Sequence, residues 1–162
     1  MGEAPIDGIT DVNPEGLTAG TGKWAAEFKA RLASGGLTCA VLGTEAYRRS
    51  MLEKHIWICA FMLVGAAHGG ITVGEVESAH TAELSELVEQ LLVAASAKGG
   101  VTFESGAVER LRAYARSVAH FPTAVKEPEW RNGWFLDFST AELAAGRPDP
   151  APLHTELMGK VQ

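Results

Sequence analysis

Positive charge is what this chain has least of: 14 Lys and Arg stand against 20 Asp and Glu in 162 residues, giving a net charge of −6 and a pI near 5.4. Binding a nucleic-acid backbone needs clustered Lys and Arg, and none occurs, so nucleic acid is excluded as a partner. Cysteine is scarce too. Cys39 and Cys59 both lie in apolar surroundings and read as reduced core residues, which suits a soluble reducing compartment, cytoplasm or plastid. The longest strongly apolar run, Ile56 to Ala67, is too short for a bilayer core that takes about 20 residues, so no membrane span is expected. The first residues, Met1-Gly2-Glu3-Ala4-Pro5-Ile6, carry no signal core, and a transit peptide removed upstream is compatible with them. No fixed-period repeat or low-complexity tract is present. The five histidines never take an i,i+4 or H-x-x-E-H spacing, which argues against a metal, and no G-x-S-x-G nucleophile turn occurs.

What is present is helical periodicity around one stretch, Glu45 to His68. It opens polar, with Glu45, Arg49 and Glu53 at i,i+4 spacing, and continues as Ile56-Trp57-Ile58-Cys59-Ala60-Phe61-Met62-Leu63-Val64, apolar on every face. That predicts a central buried helix. Before it, residues 1–20 read as an irregular arm with a short strand near Ile6 to Thr10, residues 21–34 as a helix carrying Trp24, Phe28 and Leu32 on one face, and Leu37 to Leu42 as a strand. After it, Ile71 to Glu77 is a connector with room for one helical turn. Residues 81–98 carry a stripe of Leu84, Leu87, Val88, Leu91, Leu92 and Ala95. A helix over 105–120 opens at Glu104 or Ser105, with Val108, Leu111, Ala115 and Val118 facing inward. Pro128 starts another helix to 138 with Trp130, Trp134 and Phe138 on one face, Ser139-Thr140-Ala141-Glu142 spells a capping box that bends or restarts it, and Pro152 opens a last one. The fold class is all-α, a multi-helix domain around one buried central helix with at most short strands near the N-terminus.

Two features invite a chemical reading. Gly20-Thr21-Gly22-Lys23-Trp24-Ala25 matches G-x-G-x-x-A, and Glu45 follows Ala25 by twenty residues. The preceding Asn13 to Ala19 does not read as the buried strand that fingerprint needs, so a glycine-rich turn is the better reading and no cofactor-binding residue is assigned. Lys54, one turn before the apolar run, is either a cation entering a site from the rim or a snorkelling lysine.

The order of parts resembles the helical C-terminal domain of the ketopantoate reductase family. The resemblance rests on Gly35-Gly36-Leu37, Glu53-Lys54 opening the long helix, Thr72-Val73-Gly74-Glu75, Ala97-Lys98-Gly99-Gly100-Val101, Glu127 to Asn132-Gly133, and Gly146-Arg147-Pro148-Asp149-Pro150. It implies a helical domain over 44–162, a remnant of a Rossmann-domain edge over 21–43, and the arm over 1–20. It also implies that Lys54 stands at the general-acid lysine and Glu127 at the carboxylate for the substrate hydroxyl, with Ser117 and Asn132 at substrate-binding positions. NADP would be a cofactor only with a Rossmann partner. The asparagine expected one turn after the lysine is Ile58 here, and Met62 follows where polarity is common. The expectation is therefore a non-catalytic accessory subunit docked to a protein partner or in a homo-oligomer, with Trp24 and Phe28 at the interface. The alternative is the substrate half of an NADPH-dependent 2-oxo acid reductase.

Overall fold

In the computed structural model, the residues described are 18–161 and the backbone of two strands before them, β1 (Glu3–Ile6) and β2 (Ile9–Val12). The remaining elements are β3 (Ala19–Gly20), α1 (Ala25–Ala33), β4 (Ala40–Val41), α2 (Thr44–Ala67), α3 (Val73–Ala79), α4 (Thr81–Gly99), α5 (Ala107–Ser117), α6 (Asn132–Ala144) and α7 (Pro152–Lys160). The fold is all-α, as its periodicity predicts. The chain divides into two compact units, residues 1–51 and 52–162.

In the first unit, β1 and β2 pair antiparallel, Glu3 opposite Val12 and Ile6 opposite Ile9. Two paired strands thus stand where a single strand near Ile6 to Thr10 was expected. β3 and β4 pair in parallel, Ala19 with Ala40 and Gly20 with Val41, and α1 is the crossover between them. β3 is a half-buried strand of two residues that includes Gly20 itself, short of the buried strand the fingerprint needs, and residues 13–17 lie outside those described. Gly22 sits at φ +87°, a value open to glycine at little cost, and the chain turns there from strand to helix.

The second unit has its core along α2. Ile56, Cys59, Ala60, Phe61, Leu63 and Val64 are wholly buried, together with Val73 and Val76 of α3 and Leu84, Leu87 and Leu91 of α4. Each large apolar side chain so buried contributes about 1.5–3 kcal/mol. Among the described residues α2 is the one helix long and apolar enough to cross a membrane, and half of that window is buried inside the protein. Both cysteines are free and buried, and burial pushes the Cys59 thiol up to about 12. α4 packs on α6 and α7, and α3 on α4 and α5. The Ile71–Glu77 connector resolves into α3, opened by a capping box: Thr72 accepts from the Glu75 amide and Glu75 from the Thr72 amide.

Several helix boundaries differ from expectation, and α1 begins at Ala25 rather than Thr21. α5 begins only at Ala107, because Gly106 before it takes φ +78°. α6 begins at Asn132 rather than Pro128, because Glu127 adopts φ +49° and the Gly133 amide donates to the Pro128 carbonyl at 2.6 Å, which makes a wide turn of residues 127–131. Ser139 to Glu142 neither bend nor restart α6, which runs through them with Ser139 turned into the core. Close approaches fix the loop after α5. Gly65 lies directly under the Thr123 side chain, and a Cβ on Gly74 would fall 2.9 Å from that of Ala119.

Candidate functional site

α2 is covered on most sides, but one row at i,i+4 spacing is not: Lys54 is exposed, and Ile58 and Met62 are only partly buried. The Lys54 ammonium donates to the Tyr114 hydroxyl of α5 at 2.6 Å. It also lies 3.8 Å from the centre of the Tyr114 ring and 4.4 Å from that of Trp57. Trp57 meets Tyr114 edge-on at 4.7 Å and stacks on Phe61 at 5.4 Å, so a column of aromatic rings links the lysine to the core. An ammonium over two ring faces is stabilised as a cation. Beside it, Arg110 of α5 grips Glu53 at two points, 2.6 and 3.2 Å, which ties α5 to α2 at this level. The Glu53 carboxylate thus meets a partner from another helix, a pairing that i,i+4 spacing did not suggest.

Tyr114 is absent from the sequence-based site. Its signal was available, since it lies three residues before Ser117 on the same face of a strongly amphipathic helix. Ser117 is partly buried, and its hydroxyl donates to the Tyr114 carbonyl at 2.7 Å.

The segment carrying Glu127 is tied to α2 through His55, the residue after Lys54. His55 Nε2 lies 3.1 Å from the Arg131 carbonyl, and the Arg131 guanidinium pairs with Glu127 at 2.8 Å. Burial lowers the His55 pKa, outweighing that carbonyl, so the ring is neutral and donates from Nε2. Glu127 itself is exposed. Asn132 is placed otherwise than a substrate ligand would be: it is buried, and its Oδ1 accepts from His154 Nε2 at 2.9 Å. The aromatic stripe divides as well. Trp130, before α6, is 80% exposed, whereas Trp134 and Phe138 lie under Lys98, whose ammonium donates to the Trp134 carbonyl at 2.6 Å and sits 4.4 Å from its ring.

In the first unit Trp24 and Phe28 are 66% and 49% exposed, and Val41 and Met51 are exposed too. Ala25, Phe28 and Cys39 pack beside Gly20, at ordinary contact distance from where a Cβ would stand.

No family model matches the chain, and no curated protein matches it. Among solved structures its fold is similar to a PanE/ApbA family ketopantoate reductase from Ralstonia eutropha JMP134, with a TM-score of 0.62 and 18% identity over 91% of this chain and 52% of that one. The chain therefore spans about half the length of that reductase. At this identity the likeness is one of fold.

Proposed function

We propose that the chain is a non-catalytic interaction subunit, built on a ketopantoate-reductase-like helical domain over residues 44–162 and docked by its surfaces to a protein partner or a second copy. The observation that carries this reading is the open row of α2. A site for a 2-oxo acid must orient a polar substrate next to its acid, yet the two turns after Lys54 offer only Ile58 and Met62. Replacing a substrate-binding amide by an alkyl group forfeits on the order of 2–4 kcal/mol of transition-state stabilisation. The exposed Trp24, Phe28, Val41 and Met51 supply apolar surface for docking. The strand–helix–strand of β3, α1 and β4 is, on this reading, the edge of a Rossmann-type domain.

The second reading is the substrate half of an NADPH-dependent 2-oxo acid reductase, its Rossmann domain supplied by another chain. Lys54 held by Tyr114, with Glu127 linked through Arg131 and His55 to the neighbouring position of α2, favours it. An NADPH absorbance assay with ketopantoate on four proteins separates the two: the chain alone or fused to a Rossmann domain of the family, each with Ile or Asn at 58. The expected result is no turnover by either unfused protein, and in the fusion a gain of at least tenfold from Ile58→Asn, equivalent to about 1.4 kcal/mol. Turnover by the unfused, unmutated chain would defeat the non-catalytic reading. Equal turnover by both fusions would clear Ile58 of blame.

A further inference from the structure

Histidines that are scattered in sequence meet in space at the end of α2. His68 follows the last residue of that helix, His80 stands between α3 and α4, and Glu83 lies in the first turn of α4. Their ligand atoms all lie within 4.8 Å of one another. His68 Nε2 is 2.7 Å and His80 Nδ1 3.9 Å from the same Glu83 oxygen, and the two imidazoles stack at 3.8 Å between centroids, 29° from parallel. We propose that His68, His80 and Glu83 form a binding site for a zinc-class divalent cation, with His68 Nε2, His80 Nδ1 and a Glu83 carboxylate oxygen as ligands and solvent completing the shell.

Zinc binds imidazole nitrogen at about 2.0–2.1 Å and carboxylate oxygen at about 2.0–2.2 Å, so tetrahedral ligands stand roughly 3.3 Å from one another. The separations to the Glu83 oxygen, 2.7 and 3.9 Å, fall on both sides of that value, and coordination requires the two rings to turn out of their stack. Their backbones are held at helix ends: the His68 amide donates to the Val64 carbonyl, the His80 amide to Val76, and the Leu84 amide to the His80 carbonyl. With the backbones so anchored, only side-chain rotation is left to be lost on binding. The C-terminal ends of α2 and α3 bring negative dipole ends to the site, the positive end of α4 opposes them, and Glu83 adds a negative charge. Lys160, the cation whose charge acts on Glu83, is itself paired with Glu156 at 2.7 Å. The side chains of all three ligands are between a quarter and two-fifths exposed, so an ion reaches them from solvent. Each neutral imidazole offers one nitrogen lone pair, and binding replaces the His68–Glu83 hydrogen bond.

The test is calorimetric titration of the whole, metal-free chain with zinc chloride, alongside thermal unfolding with and without zinc. One zinc per chain is expected, weakened at least tenfold by His68→Ala, by His80→Ala and by Glu83→Gln. His120→Ala, at an exposed histidine elsewhere, should leave it unchanged. The thermal midpoint should rise by about 5 °C at a hundredfold excess over Kd in the parent chain and not in His80→Ala. Should His80→Ala unfold, Glu83→Gln carries the same comparison. Absence of saturable binding up to about 1 mM zinc would overturn the proposal. So would binding that survives the His68→Ala/His80→Ala double variant, which would place the ion elsewhere, for instance at Cys39.

Discussion

The two compact units differ in what holds them. In residues 52–161 whole helix faces are sealed: Phe61, Leu63, Leu84, Leu87, Leu91, Phe135 and Leu157 are all essentially inaccessible. In the first unit, among the described residues, only Ala25 and Cys39 are buried, while Trp24, Phe28, Leu37, Val41 and Met51 are exposed. Burial of apolar area is the main stabilising term in folding. Most of the buried apolar area therefore lies in the second unit, and the first displays apolar side chains that, on the proposed reading, serve docking. Changes in the two units should accordingly have different signatures, one in stability and the other in association.

The largest effect should come from the core of the second unit. Phe61→Ala removes a fully buried ring from α2 and should cost about 3–5 kcal/mol in urea unfolding. A loss below about 1 kcal/mol would show that α2 is not the centre of that core.

Acid should break the same unit through His154. Its ring is buried, and Nε2 donates to Asn132 while Nδ1 has no partner. Burial pushes its pKa down to about 4, outweighing the attraction of nearby Asp149. The unfolded chain takes up that proton near pH 6.5 and the folded one only near 4, so the stability is whole above about 6.5 and is lost as pH falls through this window, on the order of 3 kcal/mol in full. His55, lowered in the same direction, adds to the slope. Unfolding measured from pH 7 to 4 should show the decline, and His154→Gln should flatten it. Equal slopes would mean that another group dominates acid unfolding.

A smaller effect is expected where α2 meets the loop after α5. Gly65→Ala places a methyl group against Thr123 and should cost about 1–3 kcal/mol. Thr123→Ala on that background should recover part of the loss, a non-additivity that a double-mutant cycle reads directly.

The smallest stability effect belongs to the first unit. Phe28→Ser should shift unfolding by less than about 0.5 kcal/mol. Paired with Trp24→Ser it should lower the sedimentation coefficient of the associated species, or abolish capture of a partner from the native source. A pair that destabilises strongly yet leaves association intact would reverse the comparison.

Much of the fold was legible because its cause is local. The buried stripe of α4, the glycine stops after α2 and α4, and the all-round apolar half of α2 follow from a helical repeat and from glycine's access to positive φ. The Thr72/Glu75 box was spelled in the sequence too, at the standard spacing. Part of the candidate site was legible in the same way. Lys54 lies on the open row of α2, and the spacing to Ile58 and Met62 places all three on it.

What only the tertiary structure decided are pairings between distant residues. Pro128 is a good helix starter, but Glu127 at positive φ and the buried Asn132–His154 hydrogen bond moved the start of α6, and no local rule joins positions 22 residues apart. Ser139 spells a cap, yet a cap must leave the helical conformation, and burying Ser139 on the core side of α6 kept it helical. Tyr114 meets Lys54 across 60 residues, and His68 meets His80 and Glu83, because side chains on separate helices become neighbours only once the apolar faces beneath them have packed. The sequence by itself determined which faces were apolar; which polar groups then came into reach of one another was decided by how those faces closed.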